Sequence, residues 1–349
     1  MSTVRKGYIR PVDFKHGRVD MTHGSGGRAM AQLIEELFLA AFDNEWLRAA
    51  NDNACFAVPN GRMVMATDSH VVSPLFFPGG DIGCLSVHGT VNDVAMSGAK
   101  PLYLSASFIL EGGLPARRPQ AHRRIDGAGG ARGRRGNHYR RHQVVEQGKG
   151  DGVFITTTGI GVVPEGVNIS GDRAQPGDAV LVSGTLGDHG VAIMSSRESL
   201  GFETTIRSDT AALHDLVARM VEAVPDIHAL RDPTRGGLAT TLNEIARQSG
   251  VGMMLREEAI PVRQEVEAAC EFLGLDPLYV ANEGKLVCIC AAEHAETLLA
   301  TMRAHPLGAE AAIIGSVHAD PQHFVQMETG FGGKRIVDWL TGEQLPRIC

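Results

Sequence analysis

Hydrophobic and polar positions along the chain alternate between the period of strands and the period of helices. The first half predicts strands at MVMATDS, PLYLSASFIL and GVFITTTGIGVV. Between the first two, GDIGCLSVHGTVNDVAMSGA predicts a helix with Asp81 as N-cap and Gly98 near its end. The second half repeats the alternation, with strands at DAVLVSG, KLVCICA and EAAIIGSVHA and helices at RDPTRGGLATTLNEIARQSG, PVRQEVEAACEFLG and HAETLLATMRAH. We therefore predict an α+β fold with α/β-type layers, neither a bundle nor a sandwich.

The chain of 349 residues has room for two domains. We expect an N-terminal domain over 1–163 and a C-terminal domain over 164–330. The composition changes at the C-terminus. From residue 330 the sequence is GFGGKRIVDWLTGEQLPRIC, and residues 331–349 are rich in glycine and polar residues. This composition predicts a mobile, flexible C-terminal tail.

Composition narrows the class of protein. The formal net charge is −7, but residues 116–142 hold nine of the 27 arginines and one acid, so the remainder carries 24 basic and 39 acidic residues, a net of −15. Such an acidic chain is not expected to bind nucleic acid. It has no apolar run of membrane-spanning length and no secretory N-terminus. The six cysteines do not have the spacing of a disulfide framework or of a zinc site. We therefore expect a reduced, cytoplasmic protein.

A glycine-rich segment, HGSGGR, precedes an amphipathic helix pattern, AMAQLIEELFLAAF. Its residues Gly24, Ser25, Gly26 and Gly27 offer backbone N–H groups in a loop that could close over phosphates. The segment is also compatible with an ordinary turn. The sequence contains no G-x-x-x-x-G-K-[ST] pattern, so a P-loop nucleotide site is excluded.

Carboxylates lie where a strand and a helix are predicted to meet. Asp68 ends the strand ATDS, and Asn92 and Asp93 lie on the following helix. Asp68 and Asp93 could share a Mg²⁺ that bridges nucleotide phosphates, because Mg²⁺ often takes only one or two protein carboxylates. Lone acids are, however, more often helix caps or surface groups.

The segment DPTRGG is a turn that enters a helix. Asp232, Gly236 and Gly237 would place backbone N–H groups at the helix N-terminus, which suits an anion and also suits a simple N-cap. At the other end of the chain, Cys349 is the last residue. A thiol on a flexible arm could take up a group at one site and deliver it at another, which is the chemistry of a carrier.

These segments, in this order, resemble one family along nearly the whole chain. HGSGGR, ATDSHVVSPLFFPGGDIG, HGTVNDVAMSGAKPLYLS, GKGDGVFITTTGIG, RDPTRGGLATTLNEIA, YVANEGKLV and the terminal PRIC are similar to motifs of the HypE hydrogenase maturation proteins. That family lies in the superfamily of aminoimidazole ribonucleotide synthetase, with selenophosphate synthetase and thiamine-monophosphate kinase as relatives. Most of these motifs are shared across the superfamily, and PRIC is specific to HypE.

The resemblance implies a two-domain synthetase-like fold, a homodimer, and ATP and Mg²⁺ as cofactors. It implies that the carbamoyltransferase HypF carbamoylates Cys349 and that ATP drives dehydration of this group to a thiocyanate. The cyanide would then pass to iron on the HypC–HypD complex for a [NiFe] hydrogenase. Glu283 in ANEGK matches a family active-site acid and is the candidate base; it could also be a plain loop acid.

The chain departs from the family at one motif. Where GDTKVV is expected, it has RRHQVV, with Arg141, His142 and Gln143 in place of Asp, Thr and Lys. One choice of codons for Asn137–Gln143, shifted by one base, reads Ile-Thr-Thr-Gly-Asp-Thr-Lys. We interpret residues 116–142 as frame-shifted and expect them to be irregular and exposed; a basic insertion that binds a partner is the other interpretation.

Two other functions remain open. One is a small-molecule kinase of the thiamine-monophosphate kinase type, which the terminal cysteine argues against. The other is a catalytically impaired scaffold that binds HypF or HypC–HypD, which the replaced GDTK motif favours.

Overall fold

The structure is a computed structural model that describes residues 12–25, 27–39, 44–45, 48, 53–57, 59–115, 136–197, 205–342 and 348, with the backbone alone at 136–141. The chain packs into two units. The smaller comprises Met1–Ala57 and Ser105–Thr156, and the larger comprises Val58–Leu104 and Thr157–Cys349. The domains expected at 1–163 and 164–330 stay a prediction.

The described elements alternate as the hydrophobic pattern predicts. The helices are α1 Arg28–Leu33, α2 Ile82–Ala95, α3 Asp188–Ser195, α4 His214–Ala223, α5 Gly237–Ser249, α6 Gln264–Leu273 and α7 Ala295–Arg303. The strands are β1 Arg62–His70, β2 Phe76–Phe77, β3 Gly80–Asp81, β4 Lys100–Glu111, β5 Gly136–Val145, β6 Val153–Val163, β7 Asp178–Val182, β8 Ala229–Arg231, β9 Gly252–Arg256, β10 Val287–Ala291, β11 Ala312–His318, β12 Val325–Glu328 and β13 Lys334–Ile336.

A seven-stranded sheet organises the larger unit, in the order β13-β12-β9-β11-β7-β10-β8. Alternate residues of β7 enter different hydrophobic clusters: Leu181 packs into one, and Val180 and Val182 pack into the other. Cys288 and Cys290 of β10 both belong to the first cluster and are fully buried, so they are core residues. Burial on both faces explains why these strands read as continuous apolar runs.

Helix α2 forms where the sequence predicts it. The Asp81 carboxylate accepts a hydrogen bond from the Cys84 N–H at 2.8 Å, which caps the first turn. Just beyond the helix, Gly98 has φ +74°, a conformation that favours glycine. In the larger unit β1 lies beside β6, and Val94 of α2 packs against the bare backbone of Gly159 and Gly161. This close approach fixes the helix that carries Asn92 and Asp93.

The smaller unit is built on β5 and the adjoining parts of β4 and β6. Phe38 contacts Phe108 at a ring-centroid distance of 5.1 Å and stacks on the His142 ring at 5.5 Å. The Glu111 carboxylate accepts hydrogen bonds from the N–H groups of Gly148 and Gly152, which ties the GKGDG turn to the end of β4.

Two expectations need correction. Residues 116–142 were expected to be irregular and exposed, but Gly136–Val145 is strand β5 and His142 is fully buried; residues 116–135 lie outside the described residues. The tail was expected to be mobile from residue 331, but Lys334–Ile336 pairs with β12, and Val337 is buried. The Val337 N–H donates a hydrogen bond to Val325 O at 2.8 Å. The glycine-rich composition of the tail gives no local signal for this pairing.

The amphipathic segment after the glycine-rich loop is shorter as an α-helix than its pattern predicts. It is α-helical over Arg28–Leu33 and then widens into a π-helix over Ile34–Leu39. No helix within the described ranges is long and apolar enough to span a membrane.

Candidate functional site

Three acidic side chains of the larger unit lie close enough to repel one another. Burial together with the charges of Asp232 and Asp68 raises the pKa of Asp93 to about 7. Burial and the charge of Asp68 raise the pKa of Asp232 to about 6. Asp68 lies near the end of β1, with His70 Nε2 at 3.4 Å and the Arg235 guanidinium at 3.9 Å from its carboxylate. The fold therefore brings together the acids expected from ATDS, VND and DPTRGG.

Glu283 lies in the same field of negative charge. Only 3% of it is exposed, and burial, with the charges of Asp232, Asp209 and Asp68, raises its pKa well above the ordinary value. Its Oε1 is buried without a hydrogen-bond partner among the described residues. A buried carboxyl oxygen without a hydrogen-bond partner is costly, and such groups concentrate at functional sites. The role of Glu283 as a base, as against a plain loop acid, stays a prediction.

The backbone of Glu283 is held by a short segment from 208 to 211. The Asp209 carboxylate accepts a hydrogen bond from the Glu283 N–H at 3.0 Å, and the Ala211 N–H donates to Glu283 O at 3.4 Å. The other Asp209 oxygen is 3.2 Å from the Lys285 ammonium in a nearly buried ion pair. Lys285 follows Glu283 in the quoted motif ANEGK, but its pairing with a distant aspartate carries no sequence signal.

A cavity of about 440 Å³ adjoins these acids within the larger unit. Asp93, Asp232 and Arg235 line it, together with Thr240 at the start of α5. Thr240 Oγ1 is buried and has no hydrogen-bond partner in the part of the chain that the structure describes. The volume is in the range of small-ligand sites, and the unpaired hydroxyl and the arginine suit an anionic or polar ligand.

The glycines that begin α5 have a structural reason. Gly236 and Gly237 have φ +78° and +60°, and a Cβ on Gly237 would lie 2.5 Å from Leu278 O. No side chain fits there, so the turn presents bare backbone beside Asp232 and Arg235. The structure thus explains both residues by packing, and their role toward a ligand stays a prediction.

Asn92 and His88 are held by the surrounding chain. The Asn92 amide donates to Ala211 O at 3.0 Å and Glu283 O at 3.3 Å, and its oxygen accepts from the Leu213 N–H at 2.8 Å. Asn92 therefore fixes the backbone of Glu283. His88 lies 3.0 Å from Thr210 Oγ1, and burial lowers its pKa to about 4, so its imidazole is neutral near pH 7.

The glycine-rich loop belongs to the smaller unit. Gly24 ends a 3₁₀ turn, Ser25 follows it, and Gly27 is the N-cap of α1; Gly26 lies outside the described residues. Here β5 supports the loop, because His142 Nε2 lies 2.6 Å from His23 O and a Cβ on Gly24 would lie 2.9 Å from Val144 N.

The terminal thiol of Cys349 lies outside the described residues, but Ile348 before it is described. Ile348 is 4% exposed, and its carbonyl oxygen lies 2.8 Å from His189 Nε2. His189, Ser208, Asp209 and Lys285 are residues of this region that the sequence did not single out.

The acids suit a hard divalent cation. Among the described residues, no three His, Cys, Asp or Glu side chains converge on one metal position. Mg²⁺ usually keeps several waters and takes one or two carboxylates, so convergence of three is not required. The mutual repulsion of Asp68, Asp93 and Asp232 is a charge distribution that a cation would relieve. The donor chemistry therefore fits Mg²⁺ at Asp68 and Asp93.

Comparison with known proteins defines the class. Residues 50–163 match the N-terminal domain, and residues 175–328 the C-terminal domain, of AIR synthase related proteins. The expected α+β fold with two such domains is confirmed.

More similar relatives narrow this class. The chain is 69% identical to carbamoyl dehydratase HypE of Cupriavidus necator over 99% of each chain. A crystal structure of HypE in complex with ATP matches with TM-score 0.85 and 50% identity, covering 94% of this chain and 99% of that one. A HypE–HypF complex matches with TM-score 0.72 and 46% identity, covering 88% and 99%. The chain belongs to the HypE family.

Thiamine-monophosphate kinase of Stenotrophomonas maltophilia shares only the fold. It is 19% identical, with TM-score 0.52 over 74% of this chain and 83% of that one.

Proposed function

We propose that this chain dehydrates an S-carbamoyl group on Cys349 to a thiocyanate at the expense of ATP. The observation that carries the proposal is Glu283, buried among Asp68, Asp209 and Asp232 with a raised pKa. A proton acceptor of raised pKa is suited to remove a weakly acidic N–H proton. Membership in a family whose relatives are named carbamoyl dehydratase supplies the substrate class.

The chemistry balances in two steps. The carbamoyl oxygen attacks the γ-phosphorus of ATP, ADP leaves, and one N–H proton is lost. The C–O bond then breaks, phosphate leaves with the electron pair, and loss of the second N–H proton gives the C≡N triple bond. Glu283 is the proposed acceptor of an N–H proton, and we propose that Arg235, which lies beside Asp68, offsets phosphate charge.

The glycine-rich loop, with Gly24, Ser25, Gly26 and Gly27, and the turn with Asp232, Gly236 and Gly237 are the proposed nucleotide contacts, as is Asn92 on α2. Mg²⁺ held by Asp68 and Asp93 would supply charge neutralisation of phosphate oxygens. The crystal structure of a 50% identical HypE with ATP supports the choice of nucleotide.

The partners follow from the same chemistry. We propose that HypF, present in a complex with a 46% identical HypE, carbamoylates Cys349. The thiocyanate would then hand its cyanide to iron on HypC–HypD. A homodimer is also proposed, because Met63 and Met65 on one face of β1 are 44% and 72% exposed, and an exposed apolar strand face suits association. Light scattering of the wild type and Met65→Lys tests that dimer.

The intact mass of the chain after incubation with HypF, carbamoyl phosphate and Mg-ATP tests the function. A carbamoyl adduct on the Cys349 peptide, followed by loss of one water, is the expected result. No adduct at Cys349 would overturn the carrier function.

A second candidate is an impaired scaffold that binds the same partners. Arg141, His142 and Gln143 stand where the family has Asp, Thr and Lys, and the Gln143 side chain is exposed and uncharged. A carbamoyl adduct without water loss would favour it.

We also infer that residues 116–142 are frame-shifted relative to the family. One choice of codons, shifted by one base, recovers the missing motif. His142 inside the window and Val144 just after it are both buried, so the strand pattern of β5 continues across the boundary. Sequencing the gene over this region decides the matter, and codons whose shifted frames do not restore the family motif would reject the inference.

A further inference from the structure

The tail of the protein is fastened at the residue that precedes Cys349. Ile348 is almost completely buried, and its carbonyl oxygen lies 2.8 Å from Nε2 of His189. His189 is the second residue of α3 and is itself fully buried. Phe77 packs edge-on against its ring at a centroid distance of 5.7 Å, which limits its rotation.

The hydrogen bonds define which ring nitrogen carries the proton. A carbonyl oxygen only accepts, so Nε2 of His189 must donate to Ile348 O. Burial lowers the pKa of His189, which keeps the ring neutral, and a neutral ring has a single N–H. Nδ1 therefore accepts from the Ser208 hydroxyl at 2.7 Å, and that oxygen in turn accepts from the Thr210 N–H at 3.1 Å.

His189 and Glu283 are held by hydrogen bonds from two shared segments, the start of α3 and residues 208–211. At the start of α3, the Gly187 N–H donates to Asn282 Oδ1 at 2.7 Å, and the Gly190 N–H donates to Ala281 O at 3.1 Å. In the segment from 208 to 211, Ser208 fixes His189 while Asp209 accepts from the Glu283 N–H. His189 thus belongs to the hydrogen-bonded frame that ends at Glu283.

We propose that His189 is a positioning residue that docks the Ile348 carbonyl and thereby delivers residue 349 to the Glu283 site. Consecutive α-carbons are about 3.8 Å apart, so fixing Ile348 confines the residue that follows it. Ser208 sets the tautomer that makes this possible. The purpose of this docking rests on the proposed function. The contact between His189 and Ile348 does not depend on that function.

Alkylation of Cys349 measures the docking without ATP or any partner. The protein is treated with a limiting maleimide, and the labelling rate of the Cys349 peptide is divided by that of exposed Cys55 in the same molecule. His189→Leu should raise this ratio about three- to ten-fold, the range expected for the loss of one hydrogen bond. His189→Gln, which restores an N–H donor, should return the ratio to within about two-fold of wild type.

Matched variants guard against a general folding defect. Ser208→Ala should raise the ratio, whereas Ser196→Ala, at the residue after α3 whose hydroxyl donates to Ala192 O of that helix, should not. Ile348 lies outside the sheets, so Ile348→Ala does not remove a strand residue. This substitution should raise the ratio in the wild-type background but change it little in the His189→Leu background, because both substitutions disrupt the same docked state. An unchanged ratio in folded Ser208→Ala and Ile348→Ala, or additive effects in the double variant, overturns the proposal.

The reaction gives a second readout that a merely structural role would not separate. In His189→Leu, carbamoylation of Cys349 by HypF should be undiminished while water loss slows at least about ten-fold, because a misplaced reacting group loses rate steeply. A parallel fall of both steps contradicts a positioning role. If wild type shows protected Cys349 but no water loss, the proposed function fails and the docking stands.

Discussion

The larger unit brings together the acids that the family resemblance predicts, whereas the smaller unit has other residues at one motif expected from that resemblance. In the larger unit, Asp68, Asp93, Asp232 and Glu283 all lie in one electrostatic cluster. In the smaller unit, β5 is a strand that supports the glycine-rich loop, and it carries His142 and Gln143 where the family resemblance leads us to expect Thr and Lys. A strand requires alternation and backbone pairing, which many sequences supply, whereas catalysis requires particular groups at particular places.

The largest expected effect concerns the larger unit. Glu283→Gln keeps shape and removes the proton acceptor, so water loss from carbamoylated Cys349 should slow by about 10²- to 10⁴-fold. Carbamoylation itself should persist. Peptide mass spectrometry over a time course measures both steps, with exposed Glu293→Gln beyond β10 as the control. Full water loss in Glu283→Gln would remove this residue from the mechanism.

Introducing the family's expected residues into β5 tests whether the smaller unit limits the reaction. Arg141→Asp with His142→Thr and Gln143→Lys should raise the rate of water loss by at least about ten-fold, because a lost charge-stabilising group typically costs that much or more. The same assay applies, with Gln147→Lys near the following turn as a control for added positive charge. An unchanged rate would mean that the larger unit carries the chemistry alone.

His88 gives the larger unit a pH dependence of stability. Burial lowers its pKa in the folded protein to about 4, below the ordinary histidine value of 6.5, so the unfolded chain binds the proton more strongly. The stabilisation is present above pH 6.5 and is lost as the pH falls toward 4, by about 2 kcal/mol on the scale of 1.4 kcal/mol per pKa unit after allowance for solvent. Urea titrations at pH 7.5 and 4.5 should show the loss in wild type and a smaller one in His88→Gln. Equal losses would assign it to other groups.

A local packing effect tests whether β5 supports the glycine-rich loop. Gly24→Ala places a Cβ against the Val144 backbone and should lower the free energy of unfolding by about 1–3 kcal/mol. Thermal denaturation measures the change. Gly27→Ala is the matched control, because its nearest neighbour would be 3.9 Å away. Equal effects of the two substitutions would show that β5 does not constrain the loop.

Local sequence patterns predicted most of the helices and strands of the fold. The N-cap at Asp81 and the apolar strands were predicted because each depends on neighbours in sequence. Helix α4 and strands β12 and β13 were not predicted. Strand β13 is short and rich in polar residues, and only its pairing with β12 places it in the sheet.

The sequence by itself determined the acids, the glycines and the terminal cysteine, because residue type and spacing carry their chemistry. Only the tertiary structure joined Asp209 to Lys285 and His189 to Ile348, pairs separated by 76 and 159 positions. Contacts at such separations arise from packing and the need to pair buried polar groups, which no local pattern encodes. The raised pKa of Glu283 has the same origin, since it depends on burial and on charges that folding brings together.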